Sequence, residues 1–295
     1  MLLGLLLVIV VIAAALRERR IGALTALSLT RRRLGPNGIV IGGDGFTLER
    51  ENAPAVLLIH GAGDTPQTLR YLGEYLHQQG FHVEAPLLPG HGRSVRDFRR
   101  VHADNLTNAA RGAYVDLRAR REWVGIIGLS MGGALAVQVA GEFADLPALG
   151  LAAPYLEMPR KIARAARLAW LWGPIVPIVE STEGLSIFDP DERAKNLAYG
   201  IFTASALAAL YETVRRASNA SRRVMAPTLV VQSREDNRIS PTAAERSFAK
   251  IGATEKRLEW VSGASHVITV DFGREHVFAL LASWLQEHGA AIVSQ

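Results

Sequence analysis

Ser130 stands in Gly128-Leu129-Ser130-Met131-Gly132, a G-x-S-x-G pattern. An apolar stretch, Trp123 to Leu129, precedes it, and an Ala- and Gly-rich helical stretch, Met131 to Phe143, follows. A tight strand-to-helix turn at that place lifts the hydroxyl above a sheet, and glycine on either side removes Cβ clashes at the turn. A serine hydroxyl is a weak nucleophile until a base takes its proton, and the base needs a carboxylate to orient it. Three histidines lie downstream of Ser130: His266, His276 and His288. The last two fall within or at the end of a polar-faced terminal helix and are expected to be solvated. His266 ends Ser262-Gly263-Ala264-Ser265-His266, a loop after a strand, where a base reaches the top of a sheet. The acid is expected after the strand Thr228 to Gln232, in Ser233-Arg234-Glu235-Asp236-Asn237-Arg238-Ile239. Asp236 is favoured there; Glu235 is expected to face solvent, and Asp271 is a rival just beyond His266.

An oxyanion needs two backbone N–H groups held in place. Met131, the residue after the serine, supplies one. The second is expected from His60-Gly61-Ala62-Gly63, the loop after the apolar run Ala55 to Ile59, with Ala62 as donor. His60, directly at the strand end, reads as a structural hydrogen-bonding group rather than a base. Pro89-Gly90-His91-Gly92-Arg93-Ser94 is a second glycine-rich loop, read as a tight turn. It lacks the G-K-[ST] end of a phosphate loop, and no G-x-G-x-x-G follows a strand. No metal or organic cofactor is called for by this chemistry.

The elements that position these groups alternate. Strands are predicted at Phe81 to Ala85, Leu146 to Ala152 and Arg257 to Val261 besides those already named. Helices fall between them: one opened by Thr65 and Pro66 and closed by Gly80, then Asn105 to Arg121, Pro241 to Ile251 and Gly273 to Glu287. Ahead of these, Ile39 to Ile41 and Phe46 to Glu49 read as a hairpin bracketed by Pro36-Asn37-Gly38 and Gly42-Gly43-Asp44-Gly45. Such alternation predicts an α/β fold with a mostly parallel sheet. It breaks between Pro154 and Ala226, where helices and prolines but no convincing buried strand are seen.

Four separated stretches resemble the α/β-hydrolase superfamily: LLIHGAGDTPQTLRYLGEYLHQQGFHVEAPLLPGHGRS, GLSMGG, QSREDNRISP and SGASHVITVDFGREHVFALLASWL. Within it they look like bacterial carboxylesterases and monoacylglycerol lipases. The resemblance runs from Ile39 to Glu287. It implies a mostly parallel eight-stranded sheet flanked by helices and a helical cap inserted after the sixth strand. It also implies the triad Ser130, Asp236 and His266, oxyanion donors at Ala62 and Met131, and an ester or lipid substrate. Ala62 stands where the family often has a bulky residue such as Phe. The same triad serves thioesters, amides, peptides or carbon–carbon bonds on this fold, and an inactive membrane-tethered binding protein is the alternative from another class.

The expected organisation is a membrane anchor and basic linker at 1–33, a core at 34–153 and 227–295, and a cap at 154–226. In the cap, Arg160, Lys161, Arg164 and Arg167 interleave with Ile162, Leu168, Trp170, Leu171, Trp172 and Ile175. The pattern fits an ordinary helix packed on the core. It equally fits a lid that lines an acyl pocket through Ile162, Leu168 and Trp172, or that touches a membrane.

Leu2 to Leu16 is an unbroken apolar run followed by Arg17, Glu18, Arg19 and Arg20. A single-span anchor, a cleaved signal peptide and a buried helix all compete for it. As an anchor, with its basic residues on the C-terminal side, it places the catalytic domain in the cytoplasm. The 295 residues carry a net charge of +5 and no cysteine, which excludes a disulfide scaffold, a thiolate nucleophile and Cys-ligated metals. Nearly half the residues are hydrophobic, which excludes a disordered chain. Six arginines and one glutamate put the whole +5 into residues 1–33. The remainder is formally neutral, so the high pI does not point to nucleic acid.

Overall fold

The computed structural model describes residues 2–30, 32–176, 178–180 and 186–289. Its centre is four largely apolar strands: β2 (Ala55–Ile59), β4 (Val124–Leu129), β5 (Leu149–Ala152) and β8 (Thr228–Ser233), every residue of which is buried. A strand covered on both faces cannot alternate apolar with polar, hence the continuous apolar runs. The period of two survives as a division of labour. Ala55, Leu57 and Ile59 face one core cluster, whereas Val56 and Leu58 face the other.

The main sheet has seven strands in the order β1-β3-β2-β4-β5-β8-β9, with β1 Phe46–Leu48, β3 His82–Ala85 and β9 Lys256–Val261. All neighbours are parallel except β1 and β3. Helices α4 (Ala103–Arg118) and α5 (Met131–Ala140) cover one face, and α2 (Arg70–Gln78) and α11 (Arg274–Glu287) the other. This is the α/β-hydrolase fold, with one correction: eight strands are expected in the main sheet and, among the described residues, seven are found. The missing one is Ile39 to Ile41. It makes a single bridge, Val40 to Leu34, and the Val40 N–H donates to the Gly92 carbonyl instead of a strand partner. Phe46 to Leu48 therefore pairs with β3 and not in a hairpin. The cap, expected after a sixth strand, follows the fifth, β5.

Residues after β5 build the covering segment. It holds α6 (Arg160–Arg167), α7 (Ala169–Trp172), α8 (Pro190–Lys195) and α9 (Ala204–Ala220). It also holds a short antiparallel pair, β6 (Ile178–Glu180) with β7 (Ile201–Thr203), which sequence reading did not expect. Three-residue strands are too short to show a period. Elsewhere, α3 (Val95–Phe98) is capped by the Ser94 hydroxyl, and α10 (Pro241–Ala249) by that of Ser240.

One helix, α1, spans Leu2–Thr30. The side chains of residues 2–10, most of the apolar run, lie outside the described ones. Among the described residues no helix is long and apolar enough to cross a membrane. Ile21 packs against the core, and Arg32, 2% exposed, stacks over the Tyr199 ring at 4.0 Å.

Candidate active site

The site lies at the C-terminal ends of the parallel strands, where loops from separate strands converge. Ser130 links β4 to α5 with φ 54° and ψ −116°, outside the regions an L-residue prefers. Backbone bonds hold it there: Ser130 N–H donates to the Ala152 carbonyl (3.0 Å), and Tyr155 N–H to the Ser130 carbonyl (3.0 Å). The flanking glycines are obligatory for a steric reason. A Cβ on Gly132 would overlap the Ile59 carbonyl, and one on Gly128 the Gly132 carbonyl.

His266 follows β9, and its Nε2 is 2.8 Å from Ser130 Oγ. Its Nδ1 is 2.8 Å from Asp236 Oδ2. With the ring proton on Nδ1 facing the carboxylate, Nε2 is left to accept from the serine hydroxyl. The Asp236 side chain is fully shielded. Its Oδ1 accepts from Arg238 N–H (2.7 Å) and Ile239 N–H (3.0 Å), and its Oδ2 also from Gln232 Nε2 (2.7 Å). Burial works to raise its carboxyl, but the charge and hydrogen bond of His266 and the two backbone donors outweigh that and hold it below the usual carboxylate value.

The other candidates sit apart. Glu235 is exposed. Asp271 is buried and takes backbone N–H groups from Ser265 (2.7 Å), Phe188 and Asp189 (both 2.9 Å), so it ties the covering segment to the loop that carries His266. His276 is exposed as expected, but His288 is not solvated. Its Nδ1 donates to the Trp284 carbonyl (2.7 Å), and its ring lies 4.1 Å from that of Trp284. His60 is fully buried: Nδ1 meets the Gly61 carbonyl (2.9 Å), and Nε2 accepts from Leu88 N–H (3.0 Å). Burial, then His91 beside it, pushes its pKa down to about 3, which keeps it neutral and structural.

The loop after β2 crosses Ser130 closely: a Cβ on Gly61 would stand 3.4 Å from Ser130 Cβ. Ala62 lines the same cavity as Ser130, and Met131 begins α5, where first-turn N–H groups have no partner inside the helix.

Ser130 and His266 open into a cavity of about 770 Å³. Its walls are largely apolar and include Leu129, Val176, Phe202 and Leu210, with Ile162 and Trp172 from the covering segment. The tryptophans divide: Trp172 lines the cavity, whereas Trp170 is 72% exposed, beside exposed Leu171 and Ile175. Leu168 is half-buried at the junction of α6 and α7 and does not line this cavity. Polar lining residues that sequence reading missed are Asp64, Tyr155, Lys161, Ser186, Asn196 and Arg238. Two carried a signal, since Asp64 directly follows the oxyanion loop and Arg238 is two residues past Asp236. Asp64 is buried, held by Thr65 N–H and the Thr68 hydroxyl (both 2.7 Å), and burial pushes its pKa up to about 6.

Residues 50–272 match the family described as "Serine aminopeptidase, S33". The chain belongs to that α/β-hydrolase family. It is 27% identical to the thermostable monoacylglycerol lipase of Bacillus sp. (strain H-257), over 81% of this chain and 93% of that protein. It is 24% identical to a carboxylesterase of Bacillus subtilis (strain 168), over 79% and 92%. Among solved structures, one reported with the metagenome-derived lipolytic enzymes LipS and LipT superposes with a TM-score of 0.77 at 29% identity, covering 84% of this chain and 98% of that one. This member is a hydrolytic enzyme of the lipase/esterase type.

Proposed function

We propose that the chain hydrolyses carboxylic esters, short- to medium-chain acyl esters or monoacylglycerols, through an acyl-enzyme on Ser130. The observation that carries this is the continuous hydrogen-bond line Ser130–His266–Asp236 at the floor of an apolar cavity. His266 Nε2 takes the Ser130 proton as Oγ attacks the ester carbonyl, then gives it to the departing alkoxide. Asp236 holds the Nδ1–H tautomer and stabilises the imidazolium. The N–H groups of Ala62 and Met131 receive the oxyanion. Water, deprotonated by the same imidazole, releases the acid and restores Ser130.

The family description favours a second reading, an aminopeptidase with the same triad. Its substrate brings an α-ammonium, and among the described residues the cavity meets it with Lys161 and Arg238 and one carboxyl, Asp64, whose two oxygens are already engaged. The ester reading fits this charge better.

The apolar run at Leu2 to Leu16 adds a tether to the proposal, holding a cytoplasmic catalytic domain at a membrane; its support is the sequence pattern. Fluorophosphonate labelling, with nitrophenyl esters of graded length beside amino-acid anilides, tests the activity. The expected result is labelling and ester turnover that Ser130→Ala abolishes. Turnover of anilides alone would favour the second reading. Release of the protein by carbonate wash would remove the tether.

A further inference from the structure

Arg238 has a position that the triad chemistry does not use. Its backbone N–H holds Asp236, and the residue lines the same cavity as Ser130 and His266. Nε donates to the Ser186 hydroxyl at 3.0 Å, and that hydroxyl donates in turn to Asn237 Oδ1 at 3.2 Å. Nη2 is shut off from solvent with no hydrogen-bond partner, and among the described residues no carboxylate pairs with the group. Asp236, the nearest acid in sequence, is fully used by His266, Gln232 and two backbone N–H groups. Asp64, the acid lining the cavity, is engaged by Thr65 and Thr68. Lys161 adds a second cation to the lining.

A guanidinium nitrogen shut off from solvent without a partner is costly unless an acceptor arrives, and the planar fork of a half-buried arginine suits carboxylate or phosphate oxygens. The reacting centre is near. The positive charge of Arg238 acts on the Tyr155 hydroxyl, and the Tyr155 ring stands 6.5 Å from that of His266.

We infer that Arg238 forms an anion-binding subsite of the cavity, and that the ester the enzyme turns over carries a carboxylate or phosphate besides its acyl chain. This rests on the reading of Ser130 as nucleophile and names the substrate class for it. The apolar wall takes the chain and Arg238 the charge. The monoester of a dicarboxylic acid supplies both with a carboxylate, and an acylated glycerol phosphate with a phosphate.

Two matched pairs test this on the full-length protein: nitrophenyl hemiadipate against nitrophenyl hexanoate, and a 1-acylglycerol 3-phosphate against the same 1-monoacylglycerol. The quantity read is the ratio of kcat/KM, anionic over neutral. The expected ratio exceeds one in one pair, which identifies the source of the charge. It falls tenfold or more in Arg238→Gln, chiefly through KM, and is largely restored in Arg238→Lys. A wild-type ratio below one in both pairs overturns the inference. So does an unchanged ratio in Arg238→Gln, since a residue that only ties Ser186 to the Asp236 loop lowers both rates together. Equal rates for wild type and Ser130→Ala on every ester would instead overturn the nucleophile reading, and the subsite with it.

Discussion

At the scale of single residues, identity and surroundings do separate work. Asp236 and Glu235 are neighbours with the same functional group, yet one is shielded beneath His266 and the other faces solvent. Asp236→Asn removes the acceptor that fixes the imidazole tautomer, so kcat should fall by roughly 10³–10⁴. Glu235→Gln should stay within about twofold, since the amide oxygen can still accept the 3.3 Å hydrogen bond that the Ser233 hydroxyl gives Glu235. Steady-state kinetics on one nitrophenyl ester checks both. Asp64 makes a different prediction. Its folded-state pKa is about 6 against an ordinary 3.8. Between those values the native protein binds more protons than the unfolded chain, so stability falls as pH rises through that window. The cost saturates near 3 kcal/mol in order of magnitude. Asp64→Asn has no such slope, so its stability relative to wild type should rise from pH 4 to pH 7 by up to about that amount. Urea midpoints at the two pH values measure it, and a pH-independent difference would contradict the buried-acid account.

At the scale of elements, the buried strands and the turns between strand and helix are the most legible parts. Residues 124–129 must be apolar on both sides, and Ser130 must sit between glycines because Gly128 and Gly132 touch backbone on contact surfaces that exclude any Cβ. Short elements are less legible. The β6–β7 pair and the single Val40 bridge involve too few residues for a period to emerge, and their pairing is settled by segments far away in the chain. The covering helices show the same limit. The mixture of arginines and tryptophans in 159–179 permits packing, lining and surface contact alike, and the structure assigns each tryptophan separately. Trp172→Ala removes cavity wall, so the kcat/KM ratio of long over short acyl esters should shift by about threefold or more as the pocket enlarges. Trp170→Ala should leave soluble esters within about twofold and, where α7 meets a lipid surface, lower turnover of vesicle-borne monoacylglycerol. A chain-length series run in solution and on vesicles separates the two.

At the scale of the whole molecule, charge and apolar pattern divide the chain into an arginine-rich beginning and a neutral hydrolase. The boundary is not a clean cut, because Arg32 is buried against Tyr199 and the Arg33 carbonyl accepts from Ile41 N–H (2.9 Å). Protein lacking 2–33 should therefore melt about 3–6 °C below protein lacking 2–30, read by differential scanning calorimetry. By itself, the sequence determined the alternation that builds a parallel sheet, the tight strand-to-helix turn at Ser130 and the loops after β8 and β9 that carry Asp236 and His266. Each of these depends on local sterics or on runs of burial, which neighbouring residues encode. Only the tertiary structure decided that the main sheet has seven strands, that His288 is packed while His276 is exposed, and that Asp271 pins the covering segment to the His266 loop. It alone placed Asp64 and Arg238 in one cavity with Ser130, although 174 positions separate the first two. Such meetings depend on how packed layers bring distant loops together at the C-terminal ends of the strands, and no local pattern records them.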